Sequence, residues 1–188
     1  MSEKNSSGAS AADLDALLAK FAGTSDGATG SCPYPVNEPM IHHWCDAVGD
    51  RNPCYLDREF AAKSTHGGLV APPAMLQAWT MRGLRPDTSA ETAARQNAGD
   101  EKSVLQVLDE AGYTSVVATN CEQEYFRYLE PGDQLTHTVE VESVSPEKKT
   151  GLGTGRFLTQ LYTFRDQKGE VVGTMRFRIL KFRPPTSA

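Results

Sequence analysis

The side chains best placed to do chemistry lie in one short run, Asp46-Ala47-Val48-Gly49-Asp50-Arg51-Asn52-Pro53-Cys54-Tyr55-Leu56-Asp57. Asp50 is its candidate acid/base group, with Asn52 and the Tyr55 phenol close behind. Turn chemistry accounts for the same residues, because Asp and Asn side chains in a tight turn accept bonds from nearby backbone N–H groups. Other candidates are thinner. His66 stands alone beside Gly67-Gly68, and His42-His43 are neighbours rather than i, i+4 partners, a spacing that does not bring both onto one metal. Gly151-Leu152-Gly153-Thr154-Gly155 has the look of a phosphate loop, but a strand pattern follows it and no helix amino terminus is there to hold an anion. The four cysteines, Cys32, Cys45, Cys54 and Cys121, lack Cys-x-x-Cys spacing and read as free, mostly buried thiols. No metal site is expected.

The elements around the run follow from pattern. Leu14, Leu17, Leu18 and Phe21 recur at helical spacing behind Asp13, and Gly23 to Gly30 should break that helix. Cys32 to Val36 is extended by its prolines. Asn37-Glu38-Pro39 is a helix start, Met40, Ile41, Trp44, Cys45 and Val48 form one apolar face, and Gly49 ends the helix. Asp50 to Asp57 is then a loop with a rigid Asn52-Pro53 turn, and Arg58 to Lys63 one or two helical turns. After Pro72-Pro73, the nearly uncharged stretch from Ala74 to Arg82, with Met75, Ala78 and Trp79, reads as a buried helix, and Leu84 extends its apolar pattern. Pro86 to Ser103 is a polar insertion, and Val104 to Leu108 a short helix stopped by Gly112. The remainder is β: Thr114 to Ala118, Glu122 to Leu129, Leu135 to Val144, Phe157 to Arg165 and Val171 to Phe182, with turns at Pro131-Gly132-Asp133 and Asp166 to Gly169. Helices first and long strands afterwards indicate an α+β domain with an antiparallel sheet.

The 188 residues, 39% apolar, suit a single core: residues 12–184 as the domain, 1–11 a flexible tail, 185–188 a tail or truncation point. Nineteen basic and twenty-four acidic side chains give a net charge of -5, with no basic block for nucleic acid or a membrane surface. The beginning of the chain has no apolar run, so a cytoplasmic location is expected.

The run Gly49-Asp50-x-Asn52-Pro53-x-Tyr55-x-Asp57, followed by Val70-Ala71-Pro72-Pro73 and supported by Glu124-Tyr125-Phe126 and Pro131-Gly132-Asp133, resembles the MaoC-like (R)-specific enoyl-CoA hydratase family, in its amino-terminal dehydratase-type branch. The resemblance runs from about Asn37 to Phe182 and implies a hot-dog fold, an antiparallel sheet wrapped around a central helix. In active members an aspartate and a histidine five residues later activate the water that adds to an enoyl-CoA; here Asp50 matches the first and Tyr55 stands at the second. A phenol with a pKa of about 10 does not replace an imidazole of about 6.5 at neutral pH. Pro72 and Pro73 fall where active members place a His-Gly pair whose glycine N–H polarises the thioester, and proline has no N–H to offer.

The motif Asp50, Asn52, Tyr55 is therefore read as degenerate, with no catalytic residue in this chain, and Leu69, Val70, Ala71, Met75 and Trp79 as the acyl-binding residues. The pattern is best matched by the large subunit of actinobacterial steroid side-chain hydratases. It implies a hetero-oligomer in which a smaller MaoC-like subunit supplies the Asp/His pair, acting on a bulky 2-enoyl-CoA with no cofactor beyond the coenzyme A of the substrate. The alternatives are a homodimeric hydratase or thioesterase pairing Asp50 with another base such as His66, and a non-catalytic acyl-CoA binding module.

Overall fold

The computed structural model describes residues 11–81 and 102–184. The expected tails, apart from Ala11, which begins a helix, and most of the polar insertion at 86–103 lie outside the described residues, as does Leu84. In chain order the elements are α1 (Ala11–Ala19), β1 (Ser25–Ser31), α2 (Glu38–Val48), α3 (Pro53–Leu56), α4 (Arg58–Lys63), two 3₁₀ turns (Pro73–Met75 and Ala78–Thr80), α5 (Val104–Glu110), and β2 (Ser115–Tyr125), β3 (Thr136–Val144), β4 (Lys148–Thr150), β5 (Gly153–Arg165) and β6 (Val171–Arg183). The strands make one antiparallel sheet in the order β1-β3-β5-β6-β2, with β4 paired to the start of β5. This is the hot-dog arrangement.

The sheet is built on β5 and β6, whose 13-residue strands pair along almost their whole length. Directly opposed residues share a face, so Leu158 with Ile179 and Tyr162 with Met175 line the side that carries the helices. Two apolar clusters fill that side. One joins Ile41 and Cys45 of α2 to Tyr55, Met75, Trp79, Phe164 and Met175; the other joins Leu18 of α1 and Val104 and Leu108 of α5 to Tyr113, Leu158 and Ile179. Phe177 packs against both.

The helix that delivers the candidate loop is bounded as its sequence dictates. The Asn37 side chain accepts the Met40 N–H at 3.0 Å, Pro39 sits in the first turn, and Gly49 ends the helix with φ of 73°, a left-handed conformation that glycine adopts without Cβ strain. Val48, expected on the apolar face, is exposed. At α5 Ser103 and Gln106 form a reciprocal capping box.

Several expectations are corrected. Gly23 to Gly30 is not simply a break: Ser25–Ser31 is an edge strand on β3. It has no apolar alternation to announce it, and a Cβ at Gly30 would lie 2.1 Å from the His137 ring, which would have to move. The segment Ala74 to Arg82 is not one α-helix as far as it is described; Pro73–Met75 and Ala78–Thr80 are 3₁₀ turns, and Met81 is extended. The Thr80 hydroxyl donates to the Gln77 carbonyl at 2.8 Å, the same oxygen that receives the Thr80 N–H, so the last turn closes tightly on itself. Buried Met75, Leu76 and Trp79 still place the segment in the core.

The two short strands expected at Thr114 to Ala118 and Glu122 to Leu129 are one strand, β2, carried past an irregularity between Ala118 and Asn120 and ending at Tyr125. Residues Gly151 and Leu152 form the turn of the β4–β5 hairpin, so β5 begins before Phe157. Of the thiols Cys32 and Cys45 are buried, Cys54 half-buried and Cys121 exposed. Among the described residues no helix is long and apolar enough to cross a membrane, and no cluster of three potential metal ligands occurs.

Candidate functional site

Asp50 to Asp57 leaves the carboxyl end of α2 and turns at once into α3, so the expected loop contains a helical turn. Its polar groups are absorbed by that turn. Asp50 Oδ1 accepts the Asn52 N–H at 2.9 Å, and Asn52 Oδ1 accepts the Cys54 N–H at 3.0 Å as the cap of α3. Asp57 caps α4 by accepting from Glu59 and Phe60 at 2.8 and 3.0 Å. One oxygen of each of these two carboxylates, and the amide oxygen of Asn52, thus satisfies a backbone donor that a helix start or turn leaves open.

Tyr55 is different in kind: only 8% exposed, it lies in the apolar cluster with Met75, Trp79 and Leu129. Burial is the main reason its pKa rises above the ordinary phenol value, with Tyr128 and Asp50 nearby pushing the same way and a bond to Asn52 opposing them. The phenol is therefore protonated at neutral pH, a buried ring carrying a neutral hydroxyl.

The expected acyl-binding residues fall into two groups. Val70, Ala71, Met75 and Trp79 are buried and packed together with Tyr55 in the apolar cluster. Val70 and Ala71 are held there by backbone bonds to Cys54 and Leu129, at 3.3 and 2.8 Å. The Trp79 Nε1–H has no partner among the described residues. Leu69 instead lines a cavity of about 360 Å³ with His66, Gly67 and Gly68. Glu38, Arg58 and Glu130 supply its charges, and Arg58 is tied to Glu38 by a close ion pair. That pair holds the Glu38 carboxyl below its ordinary pKa, chiefly through the Arg58 hydrogen bond.

His66 packs tilted against Tyr128, ring centroids 4.4 Å apart and planes at 58°, and Asp50 Oδ1 is engaged with the Asn52 N–H. Asp50, Asn52 and Tyr55 are thus brought together, and His66 joins a separate cavity. His42 and His43 lie on α2, where His42 approaches Glu38 at 3.8 Å.

Sequence reasoning missed the Arg127 clamp at this end of the sheet. Arg127 donates to Asp133 at 2.6 and 3.2 Å and to Asp166 at 2.9 Å, joining the Pro131-Gly132-Asp133 turn to the Asp166 turn. Burial raises the Asp133 carboxyl, but Arg127 and the Glu130 N–H outweigh it and the pKa falls below the ordinary carboxylate value. The two turn aspartates are visible in the sequence; their shared arginine, 39 residues before one of them, is not.

Fold and sequence together define the class. Residues 26–175 match the family model of the FAS1-like dehydratase domain region, and the chain belongs to that MaoC-like family. It is 49% identical over 172 residues to a probable enoyl-CoA hydratase alpha subunit of Thermomonospora curvata, covering 92% of this chain and 53% of the relative. It is 46% identical over 154 residues to the 3-oxo-4,17-pregnadiene-20-carboxyl-CoA hydratase alpha subunit of Mycobacterium tuberculosis, covering 81% of this chain and 47% of the relative. The chain therefore spans about half the length of these curated relatives. Among solved structures it superposes on a chain of the ChsH1-ChsH2 complex from Mycobacterium tuberculosis with a TM-score of 0.76 at 40% identity, covering 95% of this chain and 96% of that one.

Proposed function

We propose that this chain is the substrate-binding, catalytically degenerate part of a heteromeric enoyl-CoA hydratase that adds water to a bulky 2-enoyl-CoA, a steroid side-chain thioester being the favoured class. The observation that carries the reading is the state of the Asp50–Asp57 run. Its carboxylate and amide serve as turn and cap acceptors, and a buried, protonated phenol stands where a base is needed. Pro72 and Pro73 offer no N–H to a thioester carbonyl. Removal of one such donor elsewhere typically costs about a hundred- to thousand-fold in turnover. The alpha-subunit relatives and the two-protein complex containing a similar chain support a partner, and with it the steroid class.

In this reading a smaller MaoC-like subunit supplies the Asp/His pair and the electrophilic donor. It docks on β2, the edge strand opposite β1, along which Val116, Tyr125 and the adjoining Phe126 are exposed. The acyl group runs along Leu69, Val70, Ala71, Met75 and Trp79, and the only coenzyme is the coenzyme A of the substrate. Met75→Trp should then block a bulky acyl chain and spare a short one in a binding titration.

The decisive experiment is reconstitution. The purified chain alone should show negligible hydration, the mixture with the smaller subunit should turn over, and mutating that subunit's pair should abolish activity. A stable homodimer with robust turnover of its own would overturn the reading.

A further inference from the structure

We propose that the cavity beside Gly68 is a binding site for a neutral, amide-rich chain, the pantetheine arm of an acyl-CoA; this rests on the acyl-CoA reading above. The backbone along its wall is bonded in sequence with one gap. His66 N–H donates to the Ser64 hydroxyl at 3.1 Å, Gly67 N–H to the Ser64 carbonyl at 3.2 Å, Val70 N–H to Cys54 and Ala71 N–H to Leu129. Between them the N–H groups of Gly68 and Leu69, both half-buried, donate to no group among the described residues. Two consecutive open donors on a cavity wall are available to an acceptor that enters it.

Gly68 itself points the same way. Its φ is outside the left-handed region, and a Cβ built on it meets nothing within 4 Å. Neither conformation nor packing among the described residues asks for glycine there. A side chain there would narrow a cavity of about 360 Å³, within the range of small-ligand sites.

The charges select the ligand. Arg58, the one arginine or lysine among the described residues of the wall, is already paired with Glu38, so its charge is not free to hold a phosphate. The Glu130 side chain makes no bond among the described residues and can accept from an N–H. Adjacent amide donors and a carboxylate acceptor on the same cavity wall suit a chain of secondary amides, whose carbonyls accept from Gly68 and Leu69 and whose N–H groups donate to Glu130. Leu69 and Val70 carry the wall directly from this cavity to the apolar cluster, where the acyl end belongs.

The test is direct titration of the full chain, read on the amide resonances of Gly68 and Leu69, with pantetheine, coenzyme A and inorganic phosphate. Pantetheine and coenzyme A should shift both resonances and phosphate neither. Gly68→Phe should weaken pantetheine binding at least about tenfold by filling the cavity, and Gly68→Ala, whose methyl meets nothing within 4 Å, should melt like the parent and bind more weakly. Unmoved resonances, or undiminished pantetheine binding by Gly68→Phe, would overturn the proposal. So would a Gly68→Phe chain that binds pantetheine normally yet assembles poorly with the hydratase subunit, which would make the cavity a peptide site. Because binding is read without turnover, a reconstituted complex that binds pantetheine here but hydrates nothing would fail the hydratase reading and leave this one standing.

Discussion

The two ends of the sheet solve the same electrostatic problem with opposite geometry. At the end carrying the candidate site, a partly exposed Arg127 (34%) holds two carboxylates with little access to water, Asp133 (10%) and Asp166 (2%). At the other end the cations are inside: Arg156 is 3% exposed and paired at 2.5 Å with Asp15 of α1, 52% exposed, while Lys181 is likewise buried and paired at 2.5 Å with the half-exposed Asp109 of α5. Arg156 also donates to Tyr113 Oη at 3.2 Å and to the Ser145 carbonyl at 3.3 Å. The difference decides which substitution strands a charge. Near the site a single arginine fixes two turns together, whereas at the far end each short helix is fastened to the sheet by its own pair.

The largest effect is therefore expected from Arg127→Met, which leaves two buried carboxylates without their cation. A loss of about 3 kcal/mol is predicted in chemical denaturation, and Asp133→Asn with Asp166→Asn in the same chain should recover much of it. If the single change costs no more than a surface pair, the clamp is not what holds this end.

The same clamp sets the acid limb of stability. Asp133 and Asp166 are raised by burial but lowered further by Arg127 and by backbone N–H donors, so their folded pKa values lie below their unfolded ones. Their contribution is complete above the unfolded carboxylate pKa and is lost as pH falls through the folded value. The denaturation midpoint of the parent should fall as pH drops below about 4, and that fall should be shallower in Arg127→Met.

Asp15→Ala sharpens the comparison from the far end. It strands Arg156, but Tyr113 and Ser145 still accept from that cation, so about 1 kcal/mol is expected. Arg156→Met added to it should restore stability, and a double variant no better than the single would show that the buried cation is not the source of the loss. Tyr55→Phe is the smallest change, removing one hydroxyl from a ring that keeps its packing; about 1 kcal/mol or less is expected in the same measurement.

Much of the fold is legible in the residues themselves. Asn37, Pro39 and Gly49 bound α2 because caps act through nearest neighbours, and β5 and β6 are long enough for alternation to show. The Asp50–Asp57 run identifies its family by residue type alone. β1 is not legible, since Ser, Gly and Thr carry no apolar signal and its pairing is fixed by β3, more than a hundred residues away. Nor is the 3₁₀ geometry of Pro73–Thr80, which depends on tertiary enclosure as much as on local propensity. The cavity beside Gly68 stays hidden because its walls come from α2, α4, the 66–69 loop and the turn at 130–131, which only folding brings together.

The central claim is that Asp50 and Tyr55 hold structure and do no chemistry. It is tested most directly by turnover of the reconstituted complex carrying Asp50→Asn and Tyr55→Phe in this chain. Asparagine keeps an oxygen to accept the Asn52 N–H, and phenylalanine keeps the buried ring, so the fold is retained while the acid/base groups at both motif positions, 50 and 55, are gone. The account predicts kcat within about twofold of the parent complex; a loss of about a hundredfold or more, the scale of a removed general acid/base group, would contradict it.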